Sequence, residues 1–316
     1  MKIILLLTFV LFLLTVLRLF GNTNSWIIDL LSHFPVQYGV LCLILVPIFM
    51  SHNLTTMAVI CCGLALLNFS VLGPVKSDVV RSAQGTEIEV YSANLRRGND
   101  RLRNLTKDLM RREPDIVFLV EATREQATLL EGVAGKYPYR YEAESQTYDG
   151  FFIFLSKWPM LETDTVVVDE HVRRPVLSSR LQIHDQVIQL YGLHPHSPSR
   201  RSRFQARNHQ LKWLSDRVSE SRITTIVLGD LNITPYSPSF KKYIASSRLR
   251  AVVGSVGWRP SWPSFLPVAW IPIDHVLVSE NIAISGVYRG PFIWSDHFPI
   301  IARLVIGNNS HQIASL

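Results

Sequence analysis

The sequence predicts an α+β layered sandwich that follows a strongly apolar N-terminal region. Three observations support this prediction. Apolar residues are concentrated in the first 75 positions, short β-rich segments alternate with a few amphipathic helices from about residue 86, and several strands follow one another without a long helix between them. Many strands with few long helices are typical of layered α+β folds rather than of a doubly wound parallel sheet.

The N-terminal region contains three apolar stretches, at residues 3–20, 37–51 and 55–73. The first has about the length that a helix needs to cross the hydrocarbon core, and Arg18 at its end can extend toward the lipid headgroups. The second is short for a full crossing, so we expect three spans, with a two-span or re-entrant anchor as the alternative. A cleaved signal peptide is the alternative for the first stretch, because Lys2 precedes it, but no small-x-small cleavage site follows before Trp26.

This pattern predicts an integral protein of the cell or inner membrane. We expect a membrane anchor at residues 1–75, a linker at 76–86, a folded domain at 87–308 and a tail at 309–316. Lys2 favours a cytoplasmic N-terminus, which after three spans places the domain outside the cytoplasm, whereas Lys76 and Arg81 favour the opposite orientation. We prefer the extracytoplasmic orientation. The lipid bilayer is the expected partner, and no protein partner can be inferred.

Charge and cysteine content also separate the two regions. Residues 1–75 contain two basic residues and one acid, which leaves 30 Lys and Arg against 24 Asp and Glu in the rest of the chain. Cys42, Cys61 and Cys62 all lie in the apolar region, so the folded domain has neither a disulfide framework nor a thiolate metal site. Its net positive charge suits a phosphate-bearing substrate, either a nucleic acid or an anionic lipid.

The elements of the folded domain follow from hydrophobic periodicity. Short apolar or alternating runs predict strands, and apolar residues three or four positions apart predict helices. The predicted strands are 88–93, 115–120, 151–155, 164–168, 176–183, 187–193, 223–228, 273–278 and 299–305. The predicted helices are 101–112 and 203–218, and the Pro-rich segment 258–272 is predicted to be a long loop. Because no long helix separates the strands between 151 and 193, we expect them to pair antiparallel.

Polar side chains with catalytic potential lie where the predicted strands begin or end. They are Asn94, Glu121, His194, Asp230, Asn232, Asp274, Asp296 and His297. Strand ends at one edge of a layered fold can converge, so these dispersed residues are predicted to form one site. Each also has an ordinary structural explanation: Glu121 as a loop residue or helix cap, and Asp230 with Asn232 as an Asx-turn.

In this order, the segments YSANLR, LVEAT, LHPHSP, GDLNITP, IDHVLVS and SDHFPI resemble the motifs of the endonuclease/exonuclease/phosphatase superfamily, which is deoxyribonuclease I-like. The resemblance covers about residues 88–305 and excludes the apolar region. It implies a four-layer α/β/β/α sandwich, here preceded by transmembrane helices, with the active site at one edge of the paired sheets. It also implies a metal-dependent phosphoesterase that cleaves phosphodiester or phosphomonoester bonds of a nucleic acid or phospholipid headgroup by in-line attack of water. The alternative is a catalytically silent binding module of the same fold.

The resemblance assigns Glu121 and Asn94 to a metal site, with Asp296 supporting the metal directly or through water. Hard oxygen ligands of this kind suit Mg²⁺ or Mn²⁺. The positive charge of such an ion stabilises the negative charge that builds on the phosphoryl oxygens.

The resemblance assigns the catalytic roles to five residues. Asp230 and Asn232 position or deprotonate the attacking water and hold a phosphate oxygen. His297 is the catalytic histidine with Asp274 as its carboxylate partner, which fixes the tautomer and favours the protonated ring. His194 donates to a phosphoryl oxygen or to the leaving group. Whether Asp230 or His297 accepts the proton stays open at this point.

Three further residues are candidates for substrate binding. His196 is either a second phosphate contact or a solvated loop residue. Arg200 and Arg201 belong to a basic cluster after the histidine loop, which either binds substrate phosphate or is a solvated helix start. Tryptophans of the Pro-rich segment, including Trp262, are expected to pack locally, with a substrate wall or lid as the alternative.

Overall fold

The computed structural model describes residues 1–22, 24–72, 85–144, 151–168, 174–252 and 258–307. The predicted tail at 309–316 lies outside these residues. So do the predicted boundary at residue 75 and the predicted linker at 76–86, apart from the last two positions of the linker.

The N-terminal region is helical. Its elements are α1 (Lys2–Phe20), α2 (Trp26–Leu31), α3 (Pro35–Ser51) and α4 (Thr55–Phe69), the last continued by a 3-10 turn at Ser70–Leu72. Helices α1, α3 and α4 pack around a core that includes Leu11, Cys42 and Cys61. Among the described residues, two helical segments are long and apolar enough to cross a membrane: α1 with 19 residues and 55–72 with 18. Helix α3, with 17 residues, is shorter, as its sequence predicts.

The domain that follows is built from strands and helices in alternation. Its strands are β1 (Gly85–Asn94), β2 (Ile116–Ala122), β3 (Tyr139–Glu144), β4 (Phe151–Ser156), β5 (Met160–Val166), β6 (Val176–Ile183), β7 (Gln186–Gly192), β8 (Thr225–Asp230), β9 (Leu249–Ala251), β10 (Asp274–Ser279), β11 (Ile282–Arg289) and β12 (Ile300–Gly307). Its α-helices are α5 (Arg103–Arg112), α6 (Arg124–Leu129), α7 (Glu131–Ala134), α8 (Arg201–Glu220) and α9 (Pro238–Ser247). A second 3-10 turn lies at Pro267–Ala269.

The strands form two six-stranded sheets. The order in the first is β11-β12-β1-β2-β4-β3, and the order in the second is β5-β6-β7-β8-β10-β9. In each sheet the central pair is parallel, β1 with β2 and β7 with β8, and the other neighbours are antiparallel. Parallel neighbours end at the same edge, so each sheet brings two strand ends together at its centre.

Strand β2 shows why the fold has four layers. Phe118 and Val120 belong to the core between the sheets, whereas Val117 and Leu119 belong to the core beneath the first group of helices. Successive side chains of a strand point to opposite faces, so a strand that is buried on both faces is continuously apolar. Helices α5, α6 and α7 cover the outer face of the first sheet, and α8 and α9 cover that of the second. The predicted α/β/β/α sandwich is confirmed.

The predicted long elements agree with the structure, and the differences concern pairing and short elements. The predicted strand 164–168 is β5, which begins four residues earlier and ends at Val166. The strands between 151 and 193 are antiparallel to their neighbours, except that β7 also pairs in parallel with β8. They do not all share one sheet, because β4 belongs to the first sheet and β5 begins the second. Seven short elements were not predicted from the sequence, each of ten residues or fewer: α2, α6, α7, α9, β3, β9 and β11.

Candidate active site

The predicted site residues lie at the edge where the central parallel strands end. Asn94 is the last residue of β1, Asp230 is the last of β8, and His194 follows β7 by two positions. Strand β10 is antiparallel to β8, and its first residue, Asp274, pairs directly with Asp230. Both sheets therefore contribute to one polar cluster.

A backbone irregularity directs Glu121 into this cluster. Glu121 has a left-handed φ of 54°, and the pairing of β2 with β4 shifts register between Leu119 and Ala122. Such conformations are uncommon for residues other than glycine, and bulges often redirect a side chain next to an active site. The helix cap considered for Glu121 is provided by Thr123 instead, whose side chain accepts a hydrogen bond from the Gln126 N–H at 3.2 Å.

Asn94 connects the carboxylates of the two sheets. Its Nδ2 donates to Glu121 Oε1 at 3.1 Å and to Asp230 Oδ2 at 3.2 Å. The Arg96 N–H donates to Asn94 Oδ1 at 2.9 Å, which fixes the orientation of the amide. Asn94 is buried, so its side chain is held in place by these hydrogen bonds rather than by solvent.

Gly229 allows Asp230 to reach the cluster. Its φ is 136°, and a Cβ atom at this position would lie 1.9 Å from the Leu193 carbonyl oxygen. The Asx-turn that was considered for Asp230 is present, since the Asn232 N–H donates to Asp230 Oδ1 at 2.9 Å. The turn uses Oδ1, and Oδ2 faces the other polar side chains. Asp230 therefore forms the Asx-turn through Oδ1 and takes part in the polar cluster through Oδ2.

His297 and Asp274 form a buried pair. The Nδ1–H of His297 donates to Asp274 Oδ2 at 2.8 Å, and Nε2 lies 3.7 Å from Asp230 Oδ2. The hydrogen bond to Asp274 assigns the tautomer, with Nε2 directed at Asp230. Ser295, which the sequence analysis missed, accepts from the His297 N–H at 3.1 Å and donates to the Asn94 carbonyl at 2.7 Å. It ties the loop before β12 to the end of β1.

Burial and neighbouring charges shift the pKa values of three site residues, and these two causes oppose each other at His297 and Glu121. Burial alone would lower the pKa of His297, but the charges of Asp274 and Asp230 outweigh it and raise the pKa to about 10. Burial and the repulsion of Asp274 raise the pKa of Asp230. Burial opposes the ionisation of Glu121, yet the hydrogen bond and charge of His194 lower its pKa to about 2. Displaced pKa values in one cleft are typical of catalytic sites.

His194 lies between the two carboxylates. Its Nε2 is 3.3 Å from Glu121 Oε1 and 3.6 Å from Asp230 Oδ2. Arg174, which was not predicted from the sequence, contacts the same ring, with Nη1 3.0 Å from Nδ1 and 3.1 Å from Nε2. Its Nη1 also donates to the His194 carbonyl at 3.1 Å. Burial lowers the pKa of this guanidinium, while the charges of Glu121 and Asp230 raise it.

The donor atoms suit a divalent cation. Ligand atoms of Asp230, Asp274 and His297 lie within 4.8 Å of one another. This is not the predicted set of Asn94, Glu121 and Asp296, but Asn94 joins the two groups because it contacts both Glu121 and Asp230. Asp274 Oδ1 is buried without a hydrogen-bond partner among the described residues. Oxygen donors at this density fit Mg²⁺ or Mn²⁺, which prefer carboxylates.

The site opens into a cleft of about 540 Å³. Its lining residues come from both regions of the chain: Leu30, Leu31, His33, Phe34, Glu121, Arg174, His194, Ser197, Pro198, Asp230, Asn232, Trp262, Ile271, Ile273, Asp296 and His297. Asp296 accepts a hydrogen bond from Trp262 Nε1 at 3.2 Å, so this tryptophan forms part of the wall, which was the alternative to local packing. The four lining residues from the N-terminal region were not predicted.

The predicted substrate-binding residues lie elsewhere. Among the described residues, the cleft lining does not include His196, which is half-buried, or Arg200 and Arg201, which are exposed at the start of α8. The cation that lines the cleft is Arg174. Contact of Arg200 and Arg201 with a substrate stays a prediction.

Comparison with known proteins agrees with this geometry. Residues 88–297 match the model of the endonuclease/exonuclease/phosphatase family. Many solved structures share the fold, and three of them illustrate the similarity. TDP2 of D. rerio complexed with single strand DNA product is 20% identical, with a TM-score of 0.58 over 69% of this chain and 99% of that chain.

The second is an endonuclease/exonuclease/phosphatase from Bacteroides vulgatus, 16% identical, with a TM-score of 0.59 over 70% of this chain and 99% of that chain. The third is from Beutenbergia cavernae DSM 12333, 17% identical, with a TM-score of 0.58 over 70% of this chain and 72% of that chain. A search of curated proteins gives no match. On the family match, which covers most of the chain, this protein belongs to the endonuclease/exonuclease/phosphatase family.

Proposed function

We propose that the protein is a membrane-anchored, divalent-metal-dependent hydrolase of phosphodiester bonds. The observation that carries this proposal is the arrangement around Asp230 Oδ2. This one oxygen accepts from the Asn94 amide at 3.2 Å and lies 3.6 Å and 3.7 Å from the Nε2 atoms of His194 and His297. A carboxylate between two imidazoles suits proton transfer and the binding of a phosphoryl group.

Asp230 is the group that accepts the proton of the attacking water. Its raised pKa makes it a better base than an ordinary carboxylate, and Asn232 holds it through the backbone. His297 has a pKa of about 10 and is therefore already protonated at neutral pH, so it supports the reaction as a positive charge and hydrogen-bond donor. The two groups therefore take different roles, with Asp230 as the base and His297 as the protonated donor.

His194 and Arg174 stabilise the negative charge that builds on the phosphoryl oxygens. Both line the cleft, and both are held by fixed contacts, because Arg174 Nη1 donates to the His194 carbonyl at 3.1 Å. Pre-oriented donors of this kind lower the barrier without reorganisation during the reaction. Glu121 and Asn94 would hold the divalent cation, with Asp296 nearby, and the cation would supply further positive charge to the same oxygens.

The N-terminal helices are proposed to anchor the domain in the membrane, with the domain outside the cytoplasm. Only 22% of the apolar window of α1 and 28% of that of 55–72 is buried inside the protein. Large side chains such as Phe9 and Leu66 are exposed at 60% and 74%. An apolar surface of this extent suits contact with lipid better than contact with water.

The test is hydrolysis of bis-p-nitrophenyl phosphate by the purified full chain in detergent micelles, with Mg²⁺ or Mn²⁺ and with EDTA as control. We expect EDTA-sensitive turnover that His297→Asn reduces by several orders of magnitude. The matched control is His209→Asn, which replaces an exposed histidine of α8. Absence of EDTA-sensitive hydrolysis across metals and pH would contradict the proposal and favour the silent binding module.

A further inference from the structure

The cleft lining combines two kinds of side chain. One kind is the ionisable residues of the site, and the other is a set of five apolar residues. The apolar residues are Leu30, Leu31 and Phe34 from the N-terminal region together with Ile271 and Ile273, and His33 lines the cleft beside them. The three N-terminal side chains are half-buried, so part of their apolar surface faces the space in front of the catalytic residues. We call Leu30, Leu31 and Phe34 the N-terminal wall.

The N-terminal wall is held by a buried polar network. Asp29, next to Leu30, accepts from Arg207 Nη2 at 2.8 Å and from Ser237 Oγ at 2.5 Å. His33, next to Phe34, contacts Thr234 Oγ1 through Nδ1 at 2.9 Å. Arg207 is fully buried, so separating the wall from the domain would leave a buried charge unpaired. The wall is therefore held in a fixed position as part of the cleft.

The same network reaches the site. Arg207 Nη1 donates to the Asn232 carbonyl at 3.0 Å, so one guanidinium holds both Asp29 and the loop that carries Asn232. Two further contacts fix the wall at its ends, because Trp26 Nε1 donates to the Pro198 carbonyl at 2.7 Å and Gln37 Nε2 donates to the Trp270 carbonyl at 2.9 Å. The position of the wall relative to the reacting groups is thus determined on several sides.

The wall is also continuous with the proposed membrane anchor. Helix α2 lies between α1 and α3, and Phe34 immediately precedes α3. The proposed anchor and the wall thus belong to one continuous segment of the chain. The cleft is therefore suited to a ligand that has one apolar and one phosphorylated part.

We propose that the substrate is an amphipathic phosphodiester of the phospholipid type, whose apolar chain packs on the N-terminal wall while its phosphoryl group lies among His194, Asp230 and His297. This inference rests on the proposed function and narrows its substrate class. A nucleic acid is the less suitable ligand, because its binding needs several cations along the backbone and aromatic platforms for the bases. Arg174 is the only Lys or Arg among the described residues that line the cleft.

The experiment compares the methyl, butyl and hexyl esters of p-nitrophenyl phosphate, which share one leaving group and one reacting diester. They are assayed with the full chain in detergent micelles and Mg²⁺ or Mn²⁺. We expect kcat/KM to rise with chain length, by up to roughly fourfold for each methylene that the wall buries. Leu31→Gln should lower the ratio of kcat/KM for hexyl and methyl esters. Leu129→Gln, which changes an exposed leucine of α6, should leave this ratio unchanged.

Three outcomes would overturn the inference while leaving the proposed function intact: equal kcat/KM for the methyl and hexyl esters, equal ratios in the two variants, or faster turnover of thymidine 5′-p-nitrophenyl phosphate than of the hexyl ester. No EDTA-sensitive turnover of any ester would overturn the proposed function itself. In that case the wall is tested by binding, with tryptophan fluorescence reporting hexyl phosphate against methyl phosphate. Tighter binding of hexyl phosphate would support the wall, and equal binding would overturn it.

Discussion

Replacing Asp29 with alanine should destabilise the whole protein, although Asp29 lies outside the family domain. Asp29 and Arg207 are both buried, and their side chains are 1% and 0% exposed in an ion pair of 2.8 Å. Removing one partner of a buried pair leaves the other charge unpaired, which costs about 3–5 kcal/mol. Ser237 and His33 lose a partner as well, so we expect the upper part of this range.

The assay is urea unfolding of Asp29→Ala and of the double variant Asp29→Ala/Arg207→Met in detergent. The double variant should recover most of the lost free energy of unfolding, because no charge then stays buried without a partner. The control is Asp216→Ala, which breaks the exposed pair of Lys212 and Asp216 and should change stability little. A loss of stability for Asp29→Ala no larger than that of the control would refute the reasoning.

Three further predictions concern the catalytic cluster. Glu121→Ala should reduce turnover by several orders of magnitude with little change in the circular dichroism spectrum, and near-wild-type rates would contradict the site assignment. Gly229→Ala should destabilise the domain by about 1–3 kcal/mol in chemical denaturation. The reason is that the added Cβ would lie 1.9 Å from the Leu193 carbonyl oxygen, at a backbone φ of 136°. Unchanged stability would show that β7 and β8 separate easily. Asp274→Asn removes the charge that contributes most to the raised pKa of His297. Loss of this negative charge disfavours the protonated ring, so the basic limb of the kcat/KM–pH profile should move from near pH 10 to lower pH; an unmoved limb would assign it to another group.

Much of the site was accessible from the sequence because its residues occupy recognisable places. Asn94, Asp230 and Asp274 lie where apolar runs begin or end, and such runs are the strongest signal that a strand leaves. Their convergence was a prediction from the layered fold, and the hydrogen bonds of Asn94 to both carboxylates agree with it. The order of the motifs along the chain indicated the family, which no single residue could indicate.

The missed features depend on contacts between distant parts of the chain. Arg174 follows no periodic pattern, and its contact with His194 depends on how the chain enters β6. Leu30 and Phe34 are apolar residues of the kind that membrane anchors contain. The sequence alone therefore does not distinguish a residue of the cleft wall from a residue of a lipid-facing helix. The basic cluster of Arg201 predicts substrate binding from local charge alone, and the structure places this side chain exposed at the start of α8.

Which of the two sheets each strand joins could not be predicted from the sequence either. Strands β4 and β5 both alternate or run apolar in ways that fit antiparallel pairing, and only three residues separate them. Nothing in that pattern tells whether the chain turns back within one sheet or crosses to the next. The structure places them in different sheets, which is what allows β1, β2, β7 and β8 to occupy the two centres.

Anomalous scattering from crystals of the full chain grown with Mn²⁺ would locate the cation directly. We predict a manganese peak that has a carboxylate oxygen of Glu121 as a ligand and lies next to the Asn94 side chain. A well-ordered peak far from these residues, or side chains of Glu121, Asp230 and His297 that point into separate spaces, would contradict a shared site for metal and phosphoryl group.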